Sequence, residues 1–344
     1  MKWTNLKVGH FQVQVKALTK ALADLVNQLD RSETEANFEK FAFGSRSLCV
    51  LYQSGAEKIE IEKSLTWENR SNTEEIKIFV LNSESAEHIP IPENIRYGAY
   101  DAIGESEKTG WVITLNPATK ALLALEINSL AAVYFPGNTI EPRNLAEIFR
   151  PLLHWLSVLK GGFVLHAGAV TMGDKALLIA GPGNSGKTTL TQLCLSKGYG
   201  FLGDNVIEVQ NVDGEYFAYG VYCTFKLRPE AIKVDALNTF PSQRDIESGK
   251  NIYFAANHSG NFFDVNPKNV IGILRLDRNS SKTITVDEKR HAAFNITPNT
   301  IGQFPFFEEE TLNRTYNILK TVPTYCTGLL NPEEAHLLVK ELFR

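Results

Sequence analysis

Apolar residues recur at three- and four-residue spacing near the start of the chain, at Leu18, Leu22, Leu25, Val26 and Leu29. This spacing puts them on one side of a helix and predicts one amphipathic helix. Short runs rich in Val, Ile, Leu and aromatic residues follow, at 47–53, 58–62, 76–81, 111–115 and 121–135. Clusters of Asn, Ser, Gly and Pro separate these runs, as is typical of strands joined by turns. Residues 1–140 are therefore expected to form an α+β domain with mostly antiparallel pairing.

A second domain is expected over residues 141–344, because a stretch with proline and glycine at 136–142 interrupts the apolar pattern. A helix is predicted from Asn144, whose side chain forms a capping-box pattern with that of Glu147. Pro151 should kink or restart this helix, because proline donates no backbone hydrogen bond. The remaining pattern predicts strands at 163–170, 175–180, 201–209, 216–226 and 270–276, and helices at 187–197 and from 332. The first two of these strands are expected to form a hairpin.

The composition of the chain argues against several classes of ligand and binding partner. The chain carries 35 basic and 39 acidic residues, a formal net charge of -4, so no excess of positive charge favours nucleic acid or an anionic membrane. Its four cysteines are far apart and form no Cys-x-x-Cys pair, which argues against a disulfide framework and a thiolate zinc site. No run reaches the roughly 18 apolar residues of a membrane span, and the polar N-terminus lacks an export signal. A cytoplasmic protein with reduced thiols is expected.

Residues 181–188, Gly-Pro-Gly-Asn-Ser-Gly-Lys-Thr, match the G-x-x-x-x-G-K-[ST] pattern of a phosphate-binding loop in full. An apolar predicted strand precedes the pattern and a predicted helix follows it, as the motif requires. Glycine lets such a loop turn its backbone N–H groups inward, and the helix N-terminus adds partial positive charge. The motif therefore predicts binding of a nucleoside triphosphate, above all ATP, with magnesium. A glycine-rich turn that binds nothing is the plainer alternative.

Individual residues of the loop have separate expected roles. Lys187 should reach the β- and γ-phosphates and take part in catalysis, and Thr188 should ligate magnesium through its hydroxyl. Thr189 should contact the α-phosphate. The remaining nucleotide-binding candidates are Gly181, Gly183, Asn184, Ser185 and Gly186.

Two polar residues in apolar runs flank the loop in sequence. Asp204 lies seventeen residues after Lys187, in a strand expected beside the loop strand, where an unpaired charge would be costly. Magnesium, or a hydroxyl to be deprotonated, would supply its partner, so Asp204 is a candidate metal ligand and catalytic base. His166 lies fifteen residues before Gly181 and is a further catalytic candidate. Their structural alternatives are a solvated strand-end aspartate and a core histidine with satisfied hydrogen bonds.

Three segments, LHAGAV (165–170), GPGNSGKTTL (181–190) and SKGYGFLGDN (196–205), resemble the catalytic domain of the HPr kinase/phosphorylase family and its HPr-kinase-related relatives. The spacing of the segments agrees as well as their residues. The resemblance implies an α/β P-loop kinase core with a mixed sheet, akin also to the phosphoenolpyruvate carboxykinases, that transfers the γ-phosphoryl group of ATP to a hydroxyl. It further implies that His166 lies near the transferred phosphate and that Asp204 takes the hydroxyl proton.

Departures from that family bear on the acceptor. Where the family has two adjacent aspartates, this chain has Asp204 and Asn205, which leaves one negative charge fewer for magnesium. The family's later Glu-Arg-Gly signature has no copy in this chain after residue 210. The resemblance therefore implies a hydroxyl of a protein, a peptide or a small molecule rather than of HPr itself. Arg228, Arg244 and Lys250 are candidates for further phosphate contacts, and for each of them a solvated surface cation is the alternative. The N-terminal domain is expected to recognise the substrate or a partner, and a non-catalytic nucleotide-binding regulator or a slow ATPase is the alternative to a kinase.

Overall fold

A computed structural model describes residues 18, 20–29, 38–56, 65, 74–82, 84, 102–103, 110–115, 121–137, 149–229, 240–244, 249–255, 263–301, 306–328 and 330–344. The chain forms two compact units. The N-terminal unit comprises Met1–Phe41, Arg46–Ile59 and Arg70–Arg143, and the C-terminal unit comprises Ala42–Ser45, Glu60–Asn69 and Asn144–Arg344. Each unit combines helix with sheet in its described ranges, so the fold is mixed α/β.

The N-terminal unit is built on a seven-stranded sheet. Its elements are α1 (20–29) and the strands β1 (Phe38–Phe43), β2 (Arg46–Tyr52), β3 (Glu75–Val80), β4 (Ala102–Ile103), β5 (Trp111–Leu115), β6 (Leu122–Glu126) and β7 (Ala131–Phe135). The strands lie in the order β1-β2-β3-β7-β6-β5-β4. Leu22 of α1 and Leu18 before it are fully buried with Ile113 and Val133 of the sheet. The predicted amphipathic helix is thus confirmed.

Most of the strand pairs described in this sheet are antiparallel, as expected, although the sheet is mixed. β4–β5, β5–β6 and β6–β7 are antiparallel, whereas β2–β3 and β3–β7 pair in parallel. The apolar run 121–135 forms two strands, because a turn at 127–130, with Leu130 at a φ of 54°, reverses the chain. The strand predicted at 58–62 lies outside the described residues.

A nine-stranded mixed sheet forms the centre of the C-terminal unit. The helices of this unit are α2 (Arg150–Leu159), α3 (Lys187–Ser196), α4 (Lys289–Ile301), α5 (Glu308–Thr321) and α6 (Pro332–Leu342). Its strands are β8 (Phe163–Leu165), β9 (Gly168–Met172), β10 (Lys175–Ala180), β11 (Gly200–Gly203), β12 (Ile207–Val212), β13 (Glu215–Gly220), β14 (Thr224–Leu227), β15 (Ser242–Arg244), β16 (Asn251–Phe254), β17 (Lys268–Leu276), β18 (Thr285–Val286) and β19 (Thr324–Thr327). The order is β11-β9-β10-β17-β13-β12-β8, with β19 paired to β17 and β18 to β19. β14, β16 and β15 form a separate three-stranded sheet.

Helices cover both faces of the nine-stranded sheet. α3 and α6 pack on one face, where Leu193 is buried with Leu177 of β10. α4 and α5 pack on the other face, where Ile296 is buried with Leu178 of the same strand. Successive side chains of a strand point to opposite faces, so β10, the strand that leads into the predicted loop, is covered by helices on both sides.

Two helices have a proline at or next to their first residue. α2 begins at Arg150, so Pro151 lies in its first turn, where the missing N–H is not needed. Pro151 therefore starts this helix, and the predicted capping residues Asn144 and Glu147 lie outside the described residues. α6 begins at Pro332, as predicted. None of the helices in the described ranges is both long and apolar enough to cross a membrane.

Three predicted strands are interrupted. The runs 163–170, 201–209 and 216–226 each form two strands instead of one. At each break the chain changes its strand neighbours; β8, for example, pairs with β12, whereas β9 pairs with β10 and β11. The first two breaks contain His166 and Asp204, and both side chains are thereby released from the regular pleat of a strand.

Candidate functional site

The predicted loop connects β10 to α3, and its expected context of a strand before and a helix after is confirmed. The sequence pattern places β11 beside β10, and this is wrong, because β11 pairs with β9 instead. β9 occupies one side of β10 through the predicted hairpin that joins them. β17 lies parallel to β10 on the other side, so the C-terminal end of β17 reaches the same edge of the sheet as the loop.

The predicted site residues meet in one cleft of about 670 Å³. Those that line it are His166, Gly183, Asn184, Ser185, Gly186, Lys187, Thr188, Thr189 and Asp204. Gly181 is the exception among the predicted residues, because it is buried behind the loop and only its carbonyl oxygen contacts Lys187. The structure thus brings the break after β8 and the break after β11 together at the loop, although these two breaks are far from each other in sequence.

Two glycines hold the loop in left-handed backbone conformations. Gly181 has a φ of 137°, and Gly186, at the N-terminus of α3, has a φ of 101°. A Cβ at position 181 would clash with the carbonyl oxygen of Leu276 at the end of β17. Gly183 lies outside the left-handed region, and a Cβ there would meet no heavy atom within 4 Å. The protein's own backbone therefore requires glycine at 181 and 186, whereas Gly183 leaves open space toward the cleft.

Lys187, the first residue of α3, folds its side chain back over the loop. Its Nζ donates hydrogen bonds to the carbonyl oxygens of Gly181 at 2.9 Å and Pro182 at 3.0 Å. The residue is 8% exposed, and burial lowers the pKa of its amine; the carboxylate of Asp204 raises that pKa and the charge of Lys250 lowers it further. The two carbonyls hold the amine in the cleft, at the place where a phosphate would meet the loop.

Asp204 lies in the break after β11 and faces the first turn of α3. Thr188 Oγ1 donates a hydrogen bond to Asp204 Oδ2 at 2.8 Å. Asp204 is 5% exposed, and burial raises its pKa to about 6. The Thr188 hydrogen bond and the positive charges of Lys187 and Lys250 lower this pKa and so limit the rise. A carboxyl group with this pKa is ionised at neutral pH and can still take up a proton. Asp204 is therefore not a solvated strand-end residue.

The oxygens of Thr188 and Asp204 fit a magnesium ion that arrives with a nucleotide. Magnesium holds its ligands at about 2.0–2.1 Å in an octahedron, so adjacent ligand oxygens are about 3 Å apart. The 2.8 Å between Thr188 Oγ1 and Asp204 Oδ2 matches two adjacent positions. No three His, Cys, Asp or Glu side chains cluster as a metal site within the described residues. One carboxylate with phosphates and waters is a usual magnesium set, so these donors suit a nucleotide-bound ion.

His166 lies in the break after β8. Its Nδ1 is 2.9 Å from the carbonyl oxygen of Asn205, and its backbone N–H donates to Thr300 Oγ1 at 3.1 Å. A carbonyl oxygen only accepts, so Nδ1 carries the proton. Burial, together with the charges of Lys187 and Arg150, lowers the pKa of the ring to about 3. His166 is therefore neutral, with Nε2 as a hydrogen-bond acceptor, and brings no positive charge to the cleft.

Asn205 links the histidine to the carboxylate. It follows Asp204 with a φ of 79°, in the left-handed region that few residues other than glycine adopt. This conformation directs the Asn205 carbonyl oxygen to His166 while the side chain of Asp204 faces Thr188. Asparagine and aspartate tolerate the conformation because their short polar side chains can hydrogen-bond locally.

Sequence reasoning found only part of the basic lining. The additional residues that line the cleft are Lys226, Leu227, Arg228, Lys250 and Arg278. Of the three cations considered from sequence, Arg228 and Lys250 line the cleft, whereas Arg244 is exposed on β15 outside this lining. Lys226 and Arg278 were missed, because their positions depend on the pairing of β14 with β16 and of β17 with β10. No local motif signals either residue.

A smaller pocket of about 210 Å³ adjoins the cleft. The two share the loop residues Ser185, Gly186 and Thr189, together with Arg278. The other residues that line the smaller pocket are mostly apolar: Leu190, Leu193, Leu276, Gly328, Leu330 and Ala335. A flat apolar group bound there would lie next to an anion held by the loop.

The loop lies in one cleft with a buried carboxylate and a neutral imidazole. The loop, the start of α3 and Lys187 supply the positive potential that an anion needs. Asp204 supplies an oxygen ligand or a proton acceptor in the same cleft. No protein-family model matches this chain, and neither does any curated protein.

Proposed function

We propose that this protein is an ATP-dependent kinase that transfers the γ-phosphoryl group of ATP to a hydroxyl acceptor. The observation that carries the proposal is the buried carboxylate of Asp204, whose Oδ2 lies 2.8 Å from Thr188 Oγ1 at a complete phosphate-binding loop. The resemblance of three segments to HPr-kinase-related proteins supports the same reaction and a kinase core of that type.

In the proposed complex the triphosphate lies in the cleft along the loop. The backbone N–H groups of the loop residues that line the cleft, 183–188, and the amine of Lys187 bind its β- and γ-phosphates. The adenine ring occupies the adjoining apolar pocket, which borders the cleft at Thr189 and Arg278. Magnesium, when bound through Thr188 and Asp204, neutralises charge on the β- and γ-phosphates.

Transfer is a direct displacement at phosphorus. The acceptor oxygen attacks the γ-phosphorus, the bond from that phosphorus to the β,γ-bridging oxygen breaks, and ADP leaves. The acceptor proton passes to Asp204, which is ionised at neutral pH. Neutral His166 donates from Nδ1 to the Asn205 carbonyl oxygen and so helps to position the adjacent Asp204. Positioning and charge stabilisation supply most of the rate enhancement in such reactions.

ATP labelled at the γ-phosphate tests the proposal. Purified protein is incubated with this ATP and magnesium, alone and with a cell extract, and the label is followed in ATP, in free phosphate and on acceptors. A kinase labels an acceptor only when the extract is present. Lys187→Ala should abolish ATP binding, whereas Asp204→Asn should keep binding and slow transfer by about 100- to 10,000-fold.

Asp213→Asn is a matched control for the loss of the carboxylate. Asp213 is exposed in the β12–β13 turn with a φ of 53°, a conformation that asparagine also adopts. This variant should transfer at the rate of the unmodified protein. Release of labelled phosphate without an acceptor would identify a slow ATPase, and retention of all label in ATP would identify a nucleotide-binding regulator. Either result overturns the kinase proposal.

A further inference from the structure

Helices α4 and α5 form an antiparallel pair with an apolar groove on its exposed side. Lys289 Nζ, at the start of α4, donates a hydrogen bond to the carbonyl oxygen of Lys320, near the end of α5, at 2.7 Å. The groove has a volume of about 570 Å³ and is lined by both helices. Its large apolar and aromatic side chains are Phe294, Pro298 and Ile301 of α4 and Leu312 and Tyr316 of α5. These positions extend along most of α4, so the groove follows the direction of the helices.

The groove is exposed, although the other sides of both helices are buried. Ile296 of α4 is 2% exposed and Ile318 of α5 is 0% exposed, and both pack in the core of the C-terminal unit. Phe294, in contrast, is 79% exposed, Leu312 is 46% exposed and Tyr316 is 37% exposed. Apolar side chains exposed singly need no explanation, whereas a contiguous patch of them marks a surface for a binding partner. The helix pair presents such a patch.

The two ends of the groove carry opposite charges. Arg290 and Lys320 lie at one end, where α4 begins and α5 ends, and Glu308 and Glu309 lie at the other, where α5 begins. The ammonium group of Lys320 lies 4.2 Å from the centre of the Tyr316 ring, which places its charge at the groove. Within the described part of the chain, none of these four charged side chains forms a salt bridge.

This arrangement of charge is complementary to itself. A two-fold axis that passes through the middle of the groove, perpendicular to the helices, reverses the direction of the groove in the second copy. Arg290 and Lys320 of each copy then face Glu308 and Glu309 of the other, so both ends pair at once. The apolar side chains of the two copies meet between them. A surface that fits its own two-fold image is the kind used in symmetric homodimers.

We propose that this protein forms a two-fold symmetric homodimer through α4 and α5. Two antiparallel helix pairs pack face to face, with Phe294 and Tyr316 at the apolar centre of the interface and the four charged side chains at its rim. None of the residues that line the groove lines the cleft at the phosphate-binding loop. The inference is therefore independent of the proposed kinase function.

Sedimentation velocity of the full chain, over a series of concentrations, measures the dimer. The unmodified protein should dimerise, and Phe294→Asp should raise the dissociation constant by about 30-fold or more, as expected when an aromatic side chain at the centre of an interface is lost. Leu337→Asp is the matched control, because Leu337 is a 61% exposed helical residue outside the groove. This variant should dimerise like the unmodified protein. Thermal unfolding checks that both variants are folded.

Reversal of the charges tests the two-fold arrangement itself. Arg290→Glu with Lys320→Glu makes both ends of the groove acidic, and Glu308→Lys with Glu309→Lys makes both ends basic. Each double variant alone should weaken the dimer by about 10-fold or more, because like charges then face each other. A mixture of the two should form a dimer with one copy of each, which native mass spectrometry identifies by its mass. Lys197→Glu with Lys282→Glu, at two exposed positions outside the groove, is the control and should leave the dimer unchanged.

Three results would overturn the proposal. The unmodified protein could remain monomeric at every concentration, in which case another partner or another segment of this chain covers the groove. It could form a dimer that Phe294→Asp leaves intact, which would assign the contact to a different surface. The mixture of charge-reversed variants could remain monomeric although both are folded, which would exclude the two-fold pairing of the ends.

Discussion

Thr188 Oγ1 donates a hydrogen bond of 2.8 Å to Asp204 Oδ2, and this contact joins the first turn of α3 to the break after β11. The hydroxyl satisfies a carboxylate that burial has removed from water. It also limits the rise in the pKa of Asp204 that burial causes. The position of the loop helix and the protonation of the proposed base are therefore coupled through one side chain.

Removal of the Thr188 hydroxyl should shift the titration of Asp204 in the metal-free protein. Burial raises the pKa of Asp204 to about 6, and the Thr188 hydrogen bond lowers it. Thr188→Ala removes a hydrogen bond that favours the ionised form, so the midpoint should move to higher pH, and Thr188→Ser should restore it. NMR titration of the Asp204 carboxyl group without nucleotide and magnesium measures both effects. An unchanged midpoint in Thr188→Ala would contradict the coupling.

The burial of Asp204 should also cost stability at neutral pH. Its pKa of about 6 in the folded protein lies above the usual 3.8, so the folded protein binds more protons between these values. Stability therefore falls as pH rises from about 4 to about 6, and the full cost applies above that window. At a pH of about 8, Asp204→Asn should raise the free energy of unfolding by up to about 3 kcal/mol. Thermal unfolding at a pH of about 4 should show little difference, and Asp213→Asn should show none at either pH.

Two glycine variants should separate folding from ligand binding. Gly181→Ala forces a Cβ against the Leu276 carbonyl at a φ of 137°, so it should destabilise the protein by about 2 kcal/mol or more. Gly183→Ala meets open space, so it should unfold like the unmodified protein and yet weaken ATP binding, because the methyl group faces the cleft. Melting temperature and ATP titration measure the two effects. A loss of stability in Gly183→Ala would contradict this division.

Removal of one partner from a buried ion pair beside the loop strand should cost far more stability than removal of one partner from a surface pair. Arg275 of β17 is 1% exposed and donates to Asp287 Oδ1 at 3.2 Å and to Asp277 Oδ2 at 2.9 Å. Asp287→Ala leaves a buried guanidinium partly uncompensated and should lower the free energy of unfolding by about 3 kcal/mol. Glu75→Ala, which breaks an exposed pair with Lys40, should cost less than about 1 kcal/mol. Urea unfolding measures both.

The loop and its two flanking residues could be predicted because their signals are local. The motif at 181–188 fixes strand, turn and helix in adjacent positions. Asp204 was found because a charge inside an apolar run requires a partner, and the structure supplies Thr188 and Lys187. His166 was found from its place before the loop, and its neutral state became clear only from the Asn205 carbonyl.

The strand breaks and the basic lining of the cleft could not be predicted, because both depend on pairing between distant segments. Apolar residues lie on both sides of Gly203-Asp204-Asn205, and this pattern does not show that β11 and β12 pair with different partners. Likewise, Lys226 and Lys250 meet only because β14 pairs with β16. Periodicity gives the faces of each strand and leaves its neighbours undetermined.

The left-handed backbone at Asn205 has a consequence for how this site can change. A β-branched or bulky residue would strain the chain at a φ of 79°, whereas aspartate occupies such a conformation about as readily as asparagine. A second acid next to Asp204 is thus compatible with the existing path of the main chain. Gain or loss of that charge over evolutionary time would require a single substitution and no rebuilding of the surrounding scaffold.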